Sequence, residues 1–211
     1  MPINLPAIEY DPEFHTIDSP NSTYTIPMYK PEEYFSNLDS YVAFIKACEQ
    51  QVRKNDRYSK YIAYLKKEIG LNHCQVLTNI DGNKYENVDI EMHHGPILTL
   101  YDYCAIITEW LLTKRRQIST FRVADIVLTE HQKNHIQVVM LATTVHEQVH
   151  ARGIFLNYKH AWGDLNSFIK TYRDGISVEY VEKINRYIER SLLYDSNDFG
   201  VLRLNQTLTR F

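Results

Sequence analysis

The stretch 137-QVVMLATTVHEQVH-150 decides how this chain folds, because it changes period halfway. Residues 136–141, IQVVML, form a short apolar run rich in β-branched side chains. That length and composition predict a strand. Thr143 and Thr144 then open a short helix that Gly153 closes. Within it, Thr144-Val145-His146-Glu147 has the form of a T-x-x-E capping box. His146 and His150 are four residues apart, so they share one helix face about one turn apart.

Working backward, residues 90–96 read IEMHHGP. The spacing predicts a hairpin with residues 73–77 as first arm, Asp81-Gly82-Asn83 as turn and residues 88–93 as second arm. His93 and His94 therefore sit at the end of a strand, where adjacent side chains face opposite ways. If His93 faces the helical pair, His94 points elsewhere. Three imidazoles can then share one metal, with a fourth beside the open position that catalysis needs.

These two blocks resemble HNH nucleases, the ββα-metal or His-Me finger superfamily, with the spacing of the colicin DNases. The family's first strand ends Glu-x-His-His, and here it is Glu91-Met92-His93-His94 followed by Gly95-Pro96. Its second strand starts with Asn nine residues before a metal-binding His, with another His four further on. Gln137 stands nine before His146, and His150 is four further. The matched parts make up about an eighth of the chain. The resemblance implies that His93, His146 and His150 bind one divalent cation (Zn²⁺, Ni²⁺, Mn²⁺ or Mg²⁺). It makes His94 the general base for the attacking water. Glu91, on the strand face of His93, would orient a ligand.

Three departures stand out. Gln137 replaces the family's Asn, whose amide braces the loop carrying the base; Asn134 is a second candidate brace. The structural zinc of many HNH proteins is not expected, because Ala142 and Val145 stand where a C-x-x-C pair would fall. Finally, 42 residues separate His94 from Gln137. Residues 98–133 of that insertion read as two helices, about 99–112 and 120–131, with Tyr101 and Tyr103 as core positions. Such an insertion suits a lid, a DNA-reading element or a partner surface. Its inter-helix turn, Lys114-Arg115-Arg116, is the candidate phosphate contact. The insertion also resembles those of phage-encoded HNH-like proteins.

Two other readings compete. His146-Glu147-Gln148-Val149-His150 fits H-E-x-x-H, the zinc-peptidase signature. Against it, Glu147 already serves the capping box, and Leu156 stands where an extended motif needs its third ligand. The other alternative keeps the ββα scaffold as a binding or structural module without catalysis. His131 and His135, also four apart, read as a polar helix end. His15, His73 and His160 belong to no constellation.

The remainder frames this core. Residues 1–39 form an acidic, Pro-rich arm. Residues 1–40 carry six of the seven prolines and seven carboxylates against Lys30 alone. The arm is a candidate surface for a protein partner. Residues 40–69 read as two helices broken near Asn55-Asp56. Their apolar stripes are Phe44, Ile45, Cys48, Val52 and Tyr58, Tyr61, Ile62, Leu65, Ile69. This pair also holds a basic run from Lys46 to Lys67. Residues 40–160 make the HNH core and 161–211 a helical region, where Tyr180, Val181, Ile184, Tyr187, Ile188 and Leu192 form one stripe. The expected class is α+β, a ββα-metal motif with a long helical insertion, embedded among additional helices.

Composition limits the partners. Net charge is −3, so contact with nucleic acid, DNA before RNA, must use local patches. Cys48, Cys74 and Cys104 form no close pair, which predicts reduced thiols and a cytoplasmic setting, that of the host cell if the chain is phage-encoded. No run approaches a membrane span, and the N-terminus has no apolar signal core.

Overall fold

A computed structural model describes residues 29–210 and, before them, the backbone of three short strands. Those strands, β1 (Glu9–Asp11), β2 (Thr16–Asp18) and β3 (Thr25–Pro27), form an antiparallel meander in the order β1-β2-β3. The rest of the N-terminal arm up to residue 28, with His15, lies outside the described residues.

The fold is α+β, with eight α-helices among the described residues. Helix α1 (Leu38–Arg53) is capped by Asn37 and buries Phe44, Ile45, Cys48 and Val52. Helix α2 (Asp56–Lys67) is capped by Asn55 and buries Tyr58, Tyr61 and Leu65. The break falls at Asn55 because its side chain accepts from the Arg57 amide, satisfying a donor that starts a new helix. Gly70, at φ +81°, turns the chain out of the second helix in a conformation that costs glycine little.

The insertion is core rather than lid. Helix α3 (Leu100–Thr113) buries Tyr103, Cys104, Ile106, Ile107 and Leu111. Helix α4 (Thr120–Gln132) buries Val123, Val127 and Leu128. Both pack on α1 and on each other. A short 3₁₀ turn at Arg173–Gly175 presses on α3 so closely that a Cβ on Gly175 would lie 2.2 Å from the Ile106 carbonyl.

The expected hairpin does not form. Strand β4 (Ile90–His94) pairs antiparallel with β5 (Val138–Ala142), across the whole insertion, with His94 opposite Val138 and Ile90 opposite Ala142. Residues 73–77 instead guard the other edge of β5. The Gln75 amide donates to the Met140 carbonyl at 2.8 Å, and the Met140 amide donates to Oε1 of Gln75 at 2.7 Å. Further along that edge, Val138 and Trp162 exchange backbone hydrogen bonds. With both edges satisfied, every residue of β5 is buried.

Helix α5 (Thr143–His150) follows β5 directly and lies against both strands. It starts earlier than the predicted capping box requires. Ala142 is the N-cap, without a side-chain cap, and Glu147 stays exposed. The capping box that does form is Thr99 with Asp102, at the start of α3. Helices α6 (Leu165–Thr171), α7 (Val178–Tyr194) and α8 (Phe199–Leu208) complete the C-terminal region, with Ile184 and Ile188 of α7 buried as the stripe predicts. No described helix is long and apolar enough to cross a membrane. The three cysteines are buried and unpaired.

Candidate metal centre

Strand alternation sorts the residues of β4. Ile90, Met92 and His94 are buried, while Glu91 and His93 face α5. There His93 meets the paired histidines. Nε2 of His146 lies 3.1 Å from Nδ1 of His93 and 3.0 Å from Nε2 of His150. Ligand atoms of all three fall within 4.8 Å of one another. A tetrahedral ion with metal–nitrogen bonds of about 2.0–2.1 Å holds its ligands roughly 3.3 Å apart. The donor set therefore fits one borderline cation such as Zn²⁺ or Ni²⁺.

Glu91 orients the central histidine of the three. Its Oε2 accepts from Nδ1 of His146 at 2.5 Å, which leaves Nε2 of that ring as the free lone pair, and its Oε1 accepts from Thr143 Oγ1 at 3.2 Å. The His146 contact, ahead of the Thr143 bond, holds the Glu91 carboxyl below its usual range. Burial, helped by the His146 and His150 imidazoles, pushes His93 down to about 4. It is thus neutral and ready to ligate at physiological pH. Gly95 touches the same ring: a Cβ there would meet Nε2 of His93 at 3.1 Å.

His94 points the other way, as the alternation predicts. It is only 5% exposed and stacks on Tyr58 with an interplanar angle of 9°. Its Nε2 faces Nε2 of His131 at 3.0 Å, and Nδ1 of His131 faces the Val127 carbonyl at 2.8 Å. Burial, then His131, holds the His94 pKa well below its ordinary value. His94 also lines a pocket of about 270 Å³ that it shares with His93, His146 and His150.

The remaining candidates fall in different places. The Gln137 side-chain amide is buried without a hydrogen-bond partner among the described residues, so it makes no brace. The loop is held by main chain instead, with the Gly95 amide donating to the Gln137 carbonyl at 3.3 Å. Nor does Asn134 brace it; its Oδ1 accepts from Tyr61 Oη and Trp162 Nε1. His135 is separated from His131 and bonds Glu130 at 2.6 Å. The turn Lys114-Arg115-Arg116 stands at the far end of α3, whose first residues line the pocket. At 1.5 Å per residue that is roughly 20 Å away, and Lys114 is already paired with Asp174.

Two site residues escaped the sequence reading as such. Arg53, the last residue of α1, lines the pocket beside Glu49, 3.7 Å from its carboxylate. His131, read as a polar helix end, is fully buried. Its signal was present, since it continues the α4 stripe of Ala124 and Val127 at helical spacing.

Fold and site together define an α+β protein with a three-histidine cluster suited to a divalent cation. The chain belongs to the bacteriophage G278-like virion protein family, whose model matches residues 8–206. No curated protein and no solved structure matches it.

Proposed function

We propose that this virion-family protein carries one divalent cation on His93, His146 and His150 and uses it to hydrolyse phosphodiester bonds of nucleic acid, DNA before RNA. The β4–β5–α5 unit would be the ββα-metal motif of HNH nucleases. The observation that carries the reading is the number of converging ligands. Structural zinc sites close with four protein ligands, whereas catalytic sites keep three and an open position. Here three converge among the described residues, at the wall of a pocket.

A bound cation would supply Lewis-acid stabilisation of charge on the scissile phosphate and the leaving 3′ oxygen. The chain's own residues do the rest. Glu91 aims His146. His94 presents its second ring nitrogen as base to a water in the pocket it lines. Arg53 supplies the pocket's positive charge for the phosphate.

The second reading is a virion structural module that holds the cation without catalysis. The family's description favours it, and so does the near-complete burial of His94. The zinc-peptidase reading finds less support, because Glu147 is exposed and does not line the pocket. Incubating plasmid DNA and RNA with the protein across Mg²⁺, Mn²⁺, Ni²⁺ and Zn²⁺, with a chelator control, separates the two main readings. Chelator-sensitive cleavage supports hydrolysis. Tight metal binding with no cleavage under any ion leaves the structural module.

A further inference from the structure

We infer that the nucleic-acid strand is held by the exposed face of α2, between the α1–α2 turn and Lys67, and not by the Lys114-Arg115-Arg116 turn. The inference rests on the proposed hydrolysis for its choice of ligand, and its placement comes from the charges.

Residues 53–67 hold six basic side chains and one acidic one, in a chain whose net charge is −3. Elsewhere Lys84, Lys114, Lys133, Lys183, Arg186 and Arg203 are ion-paired among the described residues, and within the run Arg53 pairs with Glu49 and Arg57 with Asp125. Lys54, Lys60, Lys66 and Lys67 have no carboxylate within ion-pair distance among the described residues. At 3.6 residues per turn, Arg57, Lys60, Tyr64 and Lys67 fall within about 80° of one another, forming a stripe beside the buried face of Tyr58, Tyr61 and Leu65.

A pocket of about 280 Å³ opens on that stripe, lined by Arg57, Lys60, Tyr61, Tyr64 and Gln132. Tyr64 is 39% exposed and stacks loosely on Tyr61. Arg57 is held in place by Asp125, Thr129 and Gln132, and Lys60 stays unpaired among the described residues beside the exposed ring of Tyr64. A cation beside an open aromatic face is what a phosphate backbone with an unstacked base requires. The stripe also leads to the metal centre. Arg53 lines the metal pocket and Arg57 the α2 pocket, four residues apart, so the two are at most about 14 Å distant along the chain. An acidic protein segment would match the charge, but it would not require the aromatic pocket or the continuity with the metal centre.

The test is fluorescence anisotropy of a labelled single-stranded 20-mer and of its duplex, with the full chain in chelator so that nothing is cut. Salt is varied from 50 to 200 mM. Lys60→Ala with Lys67→Ala should weaken duplex binding at least tenfold and flatten the log–log salt slope by about 1.8, since each lost phosphate contact removes about 0.9. Tyr64→Ala should weaken single-strand binding while leaving the slope unchanged. Arg115→Ala with Arg116→Ala should bind within twofold of wild type. Calorimetry with Zn²⁺ on each variant reports that the fold is intact. Wild-type affinity in the Lys60/Lys67 variant, an equal loss in the Arg115/Arg116 variant, equal competition by polyglutamate, or no binding by the wild type would each overturn the inference. Binding through α2 without any cleavage leaves it standing and removes hydrolysis; cleavage indifferent to Lys60 and Lys67 does the reverse.

Discussion

Nε2 of His131 lies 3.0 Å from Nε2 of His94, and that contact determines which nitrogen of His94 is basic. The Val127 carbonyl can only accept, so Nδ1 of His131 carries its proton. Nε2 of neutral His131 must then accept, and the donor is Nε2–H of His94. The lone pair of His94 is left on Nδ1. A tautomer that a backbone carbonyl alone could set is here set through a second imidazole.

Both rings are buried neutral, which makes the metal-free protein sensitive to acid. His131 titrates at about 4 in the fold, because burial outweighs the help of the Val127 carbonyl, against about 6.5 in the unfolded chain. Between those values the unfolded state binds more protons, so stability falls as pH drops from about 6.5 toward about 4. His131 alone accounts for a loss on the order of 3 kcal/mol. Urea unfolding in chelator at pH 7.5, 6 and 4.5 should show the midpoint falling across this window. A flat midpoint would contradict the buried neutral pair.

His150→Ala should lose metal affinity, because it removes one of the three proposed ligands. His94→Ala should keep metal and nucleic acid bound while losing roughly 10²–10⁴-fold in cleavage, the usual worth of a general base. Calorimetry of metal binding beside a cleavage assay checks both. Cleavage by His94→Ala at the wild-type rate would leave the base unassigned.

Glu91→Gln should weaken metal binding by about 10–100-fold, because a neutral amide holds the His146 tautomer less firmly. Stability should change little, since the Glu91 side chain is 44% exposed. Titration with Zn²⁺ or Ni²⁺, paired with a melting curve of the metal-free variant, separates the two effects.

Gly175→Ala should be among the most destabilising single-methyl changes in the chain. Its Cβ would fall 2.2 Å from the Ile106 carbonyl and 2.6 Å from the Trp110 amide nitrogen, both backbone of a buried helix. Overpacking of this kind costs about 1–3 kcal/mol when neighbours can yield, and helix backbone yields least. Thermal unfolding would show a Tm several degrees lower; an unchanged Tm would mean that the 3₁₀ turn can lift away from α3.

The local signals of this fold were legible and its long-range pairings were not. Asn55 marks a helix break because its side chain acts two residues away, and β4 shows its faces because alternation is local. The partner of β4 lies 44 or more residues off, at Val138, and nothing near Ile90 distinguishes it from residues 73–77. Those residues resemble a strand because they meet β5, but through a single backbone bond and a glutamine side chain. The same limit hid the His94–His131 pair, 37 residues apart. The capping box failed for a different reason. Thr143, one residue earlier, is already helical and its hydroxyl donates to Glu91, so Thr144 lies inside the helix and not at its cap.

The pairing of β4 with β5 also sets an order of events. Joining His93 to His146 closes a loop of about fifty residues, whose entropic cost grows with the logarithm of its length. Helices α3 and α4 lie inside that loop and pack on each other, so forming them first shortens the flexible chain that must be closed. The three-histidine cluster is then a late, non-local contact, the kind that slows folding. A cation that recognises only the finished cluster would act as a latch on the completed chain, slowing its unfolding more than it speeds its folding.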